Sequence, residues 1–179
     1  GKAILPPAEG HQLVQTVCDG EFVAHPGWAF NWSAPYQDQF AAFADWAIAD
    51  FHDKGHSGMP TIACIRWDNP SGVESQAGSR EYLEAKGVKI IDVAVPVGVL
   101  DYSPYITPVV EQGCDYFGTP MFPEPTVTAF GVQAHEMGVA EKVERIYYPQ
   151  WGPGNKFGLK YHADVFEGDV VYRMCLAGV

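Results

Sequence analysis

The segment Thr61-Ile62-Ala63-Cys64-Ile65-Arg66-Trp67 constrains the chain most. A short, near-continuous apolar run with β-branched residues fits a strand covered on both faces, as in a parallel sheet. Breaker residues from Gly55 to Pro60 precede it. A turn with helix N-cap candidates, Asp68-Asn69-Pro70-Ser71-Gly72, follows. Upstream, Phe40, Phe43, Ala44, Ala47, Ile48 and Phe51 recur at three- and four-residue spacing. That spacing predicts a helix over Gln39 to Phe51 with one apolar stripe.

The same alternation continues downstream. A helix through about Lys86 ends at Gly87, and Val88 to Val95 reads as the next strand. Asp101 to Gln112 reads as a helix, with Ser103 at the N-cap, Pro104 at the first helical position and Pro108 as an internal kink. Cys114 to Gly118 is a third strand, Pro123 to Met137 a helix and Val143 to Tyr148 a fourth strand. A last helix is expected over about Phe157 to Phe166, and a fifth strand over Val170 to Leu176. Trp28 to Trp32 alternates like a strand, whereas Gly1 to Gly27 shows no strong period. Strands alternating with helices imply right-handed crossovers. The expected fold is α/β, a doubly wound parallel sheet of about five strands with helices on both faces.

Composition narrows the function classes. The chain has 179 residues, 47% hydrophobic and 18% charged, which suits one domain with a real core. Its formal charge of −11 repels phosphate backbones, so nucleic acid is not an expected partner. No apolar run approaches the roughly 18 residues of a membrane span. Cys18, Cys64, Cys114 and Cys175 form no C-x-x-C pair. Cys64 and Cys114 read as core thiols, and a disulfide through Cys18 stays open.

Several chemistries have no motif here. There is no glycine-rich dinucleotide loop, no phosphate-binding loop and no nucleophile elbow. The pair His135-Glu136 lacks a second histidine, because Val139 stands where one would be needed. His52 and His56 are four apart, but Gly55 intervenes, so they read as solvated surface residues and no metal is expected. No cofactor is expected either. Asp68 follows the first long strand and reads as an N-capping or hydrogen-bonding residue.

Ligands bind beyond the carboxyl ends of the strands in such sheets. That selects Trp67-Asp68-Asn69, Val97 to Asp101, Thr119-Pro120-Met121-Phe122 and Tyr147-Tyr148-Pro149-Gln150-Trp151. These segments are aromatic-rich with few charges, as the edge of a small-molecule pocket should be. The candidate ligand-binding residues are Trp67, Asp68, Asn69, Thr119, Met121, Phe122, Tyr148, Gln150 and Trp151.

Four stretches together resemble the type I periplasmic substrate-binding proteins of ABC transporters, the leucine/isoleucine/valine-binding group. They are Thr61 to Gly72, and Gly98-Val99-Leu100-Asp101-Tyr102-Ser103-Pro104-Tyr105-Ile106. The third joins Gly113 to Phe117 with Ala134-His135-Glu136-Met137-Gly138, and the fourth is Trp28 to Pro35. The resemblance runs in order from about residue 28 to residue 176. It implies that 1–27 is the tail of a first lobe and hinge approach, and that 28–179 is a second ligand-binding lobe. The first lobe of the same parent is then missing.

The implied function is solute capture for an ABC importer, with no chemistry. A ligand-sensing domain of a receptor or regulator is the alternative. The implied place is extracytoplasmic, in the periplasm or as a cell-surface lipoprotein. The implied partners are a small-molecule ligand, the first lobe and a membrane permease, with self-association through the exposed interlobe face. Carried over, the family's second-lobe contacts fall near Asn69 or Pro70 (with Trp67 as the aromatic), near Met121 or Phe122, and near Gln150 or Trp151. No acid stands at the last position, which disfavours an α-amino acid. Trp67, Phe122, Tyr148 and Trp151 suit an aromatic or larger apolar ligand, its carboxylate held mainly by the missing lobe.

Overall fold

The computed structural model describes residues 13–15, 29–31, 34–120, 122, 125–149 and 160–172. The strand at Thr61–Trp67, here β3, has the bounds its apolar run dictates. It is preceded by β1 (Leu13–Gln15), β2 (Ala29–Asn31) and helix α1 (Tyr36–Asp53). After it come α2 (Pro70–Ala85), β4 (Lys89–Val95), α3 (Ser103–Gln112), β5 (Tyr116–Gly118), α4 (Thr126–Glu136), β6 (Arg145–Tyr148) and β7 (Val170–Val171).

β3 to β7 form one five-stranded sheet in the order β4-β3-β5-β6-β7, and every neighbouring pair is parallel. The chain steps from β3 outward to β4, then crosses back past β3 to β5. Right-handed crossovers in opposite directions must place their helices on opposite faces. The core divides accordingly. Ile62 and Cys64 of β3, with Tyr116 and Tyr147, pack under Phe40, Phe43, Ala44, Ala47 and Phe51 of α1 and Leu83 of α2. Ala63 and Ile65, with Phe117, Ile146 and Tyr148, pack under Ile106 and Val109 of α3 and Phe130 and Ala134 of α4. This period-two split makes β3 apolar on both faces.

Two close approaches tighten the packing. A β-carbon at Gly118 would lie 2.4 Å from the Tyr147 carbonyl oxygen, so β5 and β6 meet where only glycine fits. One at Gly131 would lie 2.5 Å from the Phe166 ring, which seats the 160–172 segment against α4.

Some local expectations need correction. α1 begins at Tyr36, three residues before Gln39, with Pro35 at its N-cap. Ser103 is not the N-cap of α3. Tyr102 takes that position, and the Asp101 carboxylate accepts from the Ser103 amide at 2.9 Å and its hydroxyl at 2.6 Å. α4 begins at Thr126 with Pro125 at its N-cap, while Pro123 lies outside the described residues. Of the last expected helix, 160–162 are helical and turns follow to 168, with 157–159 outside the described residues. β1 had no period to announce it. It pairs in parallel with β2, Leu13 to Ala29, in a sheet of two strands distinct from the main one. Among the described residues no helix is long and apolar enough to cross a membrane.

Candidate functional site

The strand order fixes where a site can form. Successive connections leave β3 and β5 in opposite directions, the strand-order switch at whose carboxyl end a ligand crevice is expected. The first wall is Trp67, the last residue of β3. Its half-buried indole lies 5.7 Å from the ring of Phe122. Phe122 is fully buried, 5.9 Å from Tyr102 and 5.3 Å from Phe130. The indole therefore rests on a cluster of packed rings that fixes its plane.

Asp68 and Asn69 follow. The Asp68 amide donates to the Val95 carbonyl at 2.7 Å, extending the β3–β4 ladder by one bond, and its side chain is exposed. The capping role belongs to Asn69, whose Oδ1 accepts from the Gly72 amide at 2.7 Å and starts α2. Thr119, after β5, is fully buried, and its amide donates to the Tyr147 carbonyl at 3.2 Å. Tyr148 is also fully buried, its ring edge-on to Phe166 at 5.6 Å. Thr119, Phe122 and Tyr148 thus have no accessible side-chain surface in this lobe. Trp67 and Asp68 keep surface at the carboxyl end of β3. Met121, Gln150 and Trp151 lie outside the described residues.

The charges are one-sided. Arg66 is adjacent, but it donates to both oxygens of Asp92 at 2.8 Å, on the side chain's inner face. The segments 68–71, 96–102 and 119–120 contain Asp68 and Asp101 and no Lys or Arg. Hydrogen bonds from Ser103 hold the Asp101 carboxyl below its ordinary value. Burial pushes the Tyr102 hydroxyl up. Burial, then the nearby Asp169 carboxylate, pushes the Tyr148 hydroxyl well up. Each of these groups keeps its usual charge at neutral pH.

Sequence reasoning missed two polar links. Gln133 of α4 spends its whole amide on the β4–α3 loop: Nε2 donates to the Leu100 carbonyl at 2.7 Å and Oε1 accepts from the Tyr102 amide at 2.8 Å. His135 Nε2 meets Asp169 Oδ2 at 2.8 Å, although 34 residues separate them. Neither spacing marks these pairs in the sequence. His52 and His56 lie at the surface, His52 against the Gly58 carbonyl and His56 against Glu144. Among the described residues no group of three His, Cys, Asp or Glu could hold a metal ion.

A hollow of about 760 Å³ lies along the outer side of α4, lined by Ala129, Val132, Glu136 and His162 among others. None of the predicted site residues lines it. Its lining comes from residues 125–136 and 161–162 and not from the last residues of β3 or β5.

With this geometry in hand, comparison with known proteins is informative. The family described as "Periplasmic binding protein" matches residues 14–157. No curated protein matches the chain by sequence. The fold is similar to that of an amino acid ABC transporter substrate-binding protein from Pseudomonas fluorescens, at 17% identity and a TM-score of 0.70, over 90% of this chain and 42% of that one. A branched chain amino acid ABC transporter from Thermus thermophilus with bound valine gives 16% and 0.70, over 88% and 39%. An ABC transporter solute binding protein from R. palustris in complex with 4-hydroxybenzoate gives 18% and 0.60, over 76% and 36%. The chain thus spans less than half the length of these structures. Since the family match extends over most of its residues, the chain belongs to the periplasmic binding protein family.

Proposed function

We propose that the chain is one ligand-binding lobe of a two-lobed, extracytoplasmic solute receptor that serves an ABC importer. It captures a small organic ligand and performs no chemistry. The observation that carries this reading is the strand-order switch between β3 and β5, with the half-buried Trp67 at the end of β3 resting on the buried ring of Phe122. A flat apolar wall backed by packed aromatics favours a planar or bulky apolar ligand body. The absence of Lys and Arg from segments 68–71, 96–102 and 119–120 leaves a ligand carboxylate without a counter-ion there. Its charge would be met by the other lobe. Met121, Gln150 and Trp151 belong to the same proposal.

A second lobe is supported by β1 and β2. Two strands of three residues each, paired in parallel, do not make a stable sheet alone. They fit as part of a sheet completed by the first lobe, with capture by closure of the two lobes on a hinge.

The test is calorimetric titration of the full-length protein with benzoate, 4-hydroxybenzoate, valine and phenylalanine. Binding of an aromatic carboxylate, weakened about tenfold or more by Trp67→Ala, is the expected result. Binding of none of these, or binding indifferent to Trp67, would overturn the reading.

A further inference from the structure

Trp67 is seated by a relay of rings that ends on one amide side chain. Its indole lies 5.7 Å from the Phe122 ring, tilted by 38°. Phe122 belongs to no helix or strand, so the rings packed against it set its plane. Those rings are Tyr102 at 5.9 Å and Phe130 at 5.3 Å. Phe130 is fixed by α4 and by stacking on Phe117 of β5 at 5.6 Å. Tyr102 stands edge-on to Phe130 at 5.5 Å, but it lies ahead of the first turn of α3, as its N-cap.

Gln133 supplies what that position lacks. The amides at a helix start have no partner within their own helix. Here Gln133 Oε1 accepts from the Tyr102 amide at 2.8 Å, and Nε2 donates to the Leu100 carbonyl at 2.7 Å. The Tyr102 carbonyl accepts from the amides of Tyr105 and Ile106, both at 3.0 Å. Both peptide groups of Tyr102 are thereby pinned, which fixes the direction in which its ring leaves the backbone. Gln133 stands three residues after Phe130 on α4, so one helix holds Tyr102 by its backbone and by its ring. Without the Gln133 amide the peptide before Tyr102 is released. The Tyr102 ring is only 2% exposed and Phe122 is fully buried, so the first cannot turn in a close-packed core without displacing the second.

We propose that Gln133 is a positioning residue for the ligand wall: through Tyr102 and Phe122 it sets the plane of the Trp67 indole. This rests on the solute-receptor reading, in which Trp67 meets the ligand. Planar ligands feel the loss most, because a flat ring gains from a preset flat wall only when the two planes match. A branched aliphatic body has no plane to match.

The experiment uses the full-length protein labelled with 5-fluorotryptophan. The fluorine resonance of Trp67 is assigned by its loss in Trp67→Phe, and that of Trp46 in Trp46→Phe. Calorimetric affinities for 4-hydroxybenzoate and valine are measured for the wild type, Gln133→Leu, Trp67→Ala and the Gln133→Leu/Trp67→Ala double variant. Gln133→Glu, which keeps the acceptor but not the N–H donor, is carried alongside and decides the matter where Gln133→Leu does not fold. The expected result is 4-hydroxybenzoate affinity lowered about threefold to tenfold by Gln133→Leu, and less by Gln133→Glu. Valine affinity should change by less than about twofold. In the Trp67→Ala background the Gln133 change should have no further effect on 4-hydroxybenzoate. The Trp67 resonance should shift and broaden in the ligand-free Gln133 variants while that of Trp46 stays in place. An unmoved Trp67 resonance, losses that multiply in the double variant, or equal losses for valine each overturn the proposal. A protein that binds neither solute overturns the receptor reading and with it the ligand wall, whereas binding with an unmoved Trp67 resonance overturns the role of Gln133 alone.

Discussion

Gly72 lies directly against the carbonyl of Trp67: a β-carbon at position 72 would sit 2.0 Å from the Trp67 oxygen and 2.8 Å from its carbonyl carbon. The strand-to-helix turn that aims Trp67 at the crevice is therefore closed backbone to backbone. Gly72→Ala has no flexible neighbour to displace and must shift β3 or the first turn of α2. It should destabilise the chain by about 1–3 kcal/mol. Gly78→Ala is the contrast, because its β-carbon would meet only the Oε1 end of Gln37, which can swing away. The gain in helix propensity, up to about 1 kcal/mol, then leaves that variant neutral or slightly more stable. Urea denaturation of both variants checks the pair. Equal losses would show that the turn is not the tight point.

The nearly buried Asp169 carboxylate is hydrogen-bonded to His135 at 2.8 Å, with side chains 5% and 16% exposed. The pair fastens the segment before β7 to α4, and the Phe166 ring stands edge-on to His135 at 5.9 Å. His135→Leu leaves the Asp169 carboxyl without that hydrogen bond and should cost about 1–3 kcal/mol. The double change His135→Leu/Asp169→Leu should recover most of that loss. A double-mutant cycle with additive losses would refute the coupling.

At the opposite end of the sheet, Lys54 bridges Asp50 at 2.7 Å and Glu144 at 2.9 Å. Burial works against the Asp50 charge, but hydrogen bonds from Lys54 and Tyr116 hold its carboxyl below the ordinary value. Glu144 is lowered first by its hydrogen bond from Lys54. Burial opposes the Lys54 charge, yet both carboxylates raise its value above 10.5. Carboxyls lowered by folding stabilise above their ordinary values, near pH 4, and that contribution is lost as pH falls through the lowered ones. The raised lysine contributes below pH 10.5 and loses that contribution only as pH climbs through its raised value. Lys54→Met should therefore flatten the acid limb of stability against pH and leave pH 6 to 8 flat. An unchanged acid limb would show that the bridge contributes nothing there.

Both described cysteines should be inert in the native chain. Burial, then the nearby Asp92 charge, pushes the Cys64 thiol far up. Burial, then Asp115, pushes Cys114 up to about 12. Thiolate is the reactive form, so native chain treated with iodoacetamide at pH 8 should stay unlabelled at both positions. Urea should expose both to labelling. Native labelling of Cys64, read by peptide mass, would contradict its place under α1.

What could be read in the sequence follows from how local each signal is. β3 was legible to the residue because burial on both faces leaves an apolar run with turn residues at each end. α1 was legible from its stripe, although its first turn, Tyr36 to Asp38, hides behind Pro35. The cap of α3 was misplaced by one residue because Ser103 is the better capping type, yet it lies inside the helix as a donor to Asp101 while Tyr102 takes the cap position. β1 is three residues long, too short for any period to show. At the site, Trp67 and Asp68 could be selected by the strand-end rule alone. The Gln133 clamp and the His135–Asp169 pair could not, because each joins elements that meet only once the sheet has formed.

The strand order also dictates what the ribosome exposes. β3 pairs with β4 as soon as Val95 is available, but its other edge waits for β5 at Tyr116–Gly118. At about 5–20 residues per second, that interval lasts one to several seconds of synthesis. Throughout it, Ile62 to Cys64 form a bare, apolar template open to any passing strand. A chain interrupted between residues 96 and 115 keeps that template permanently, so the newborn polypeptide is most vulnerable to aggregation through a strand that is later paired on both edges.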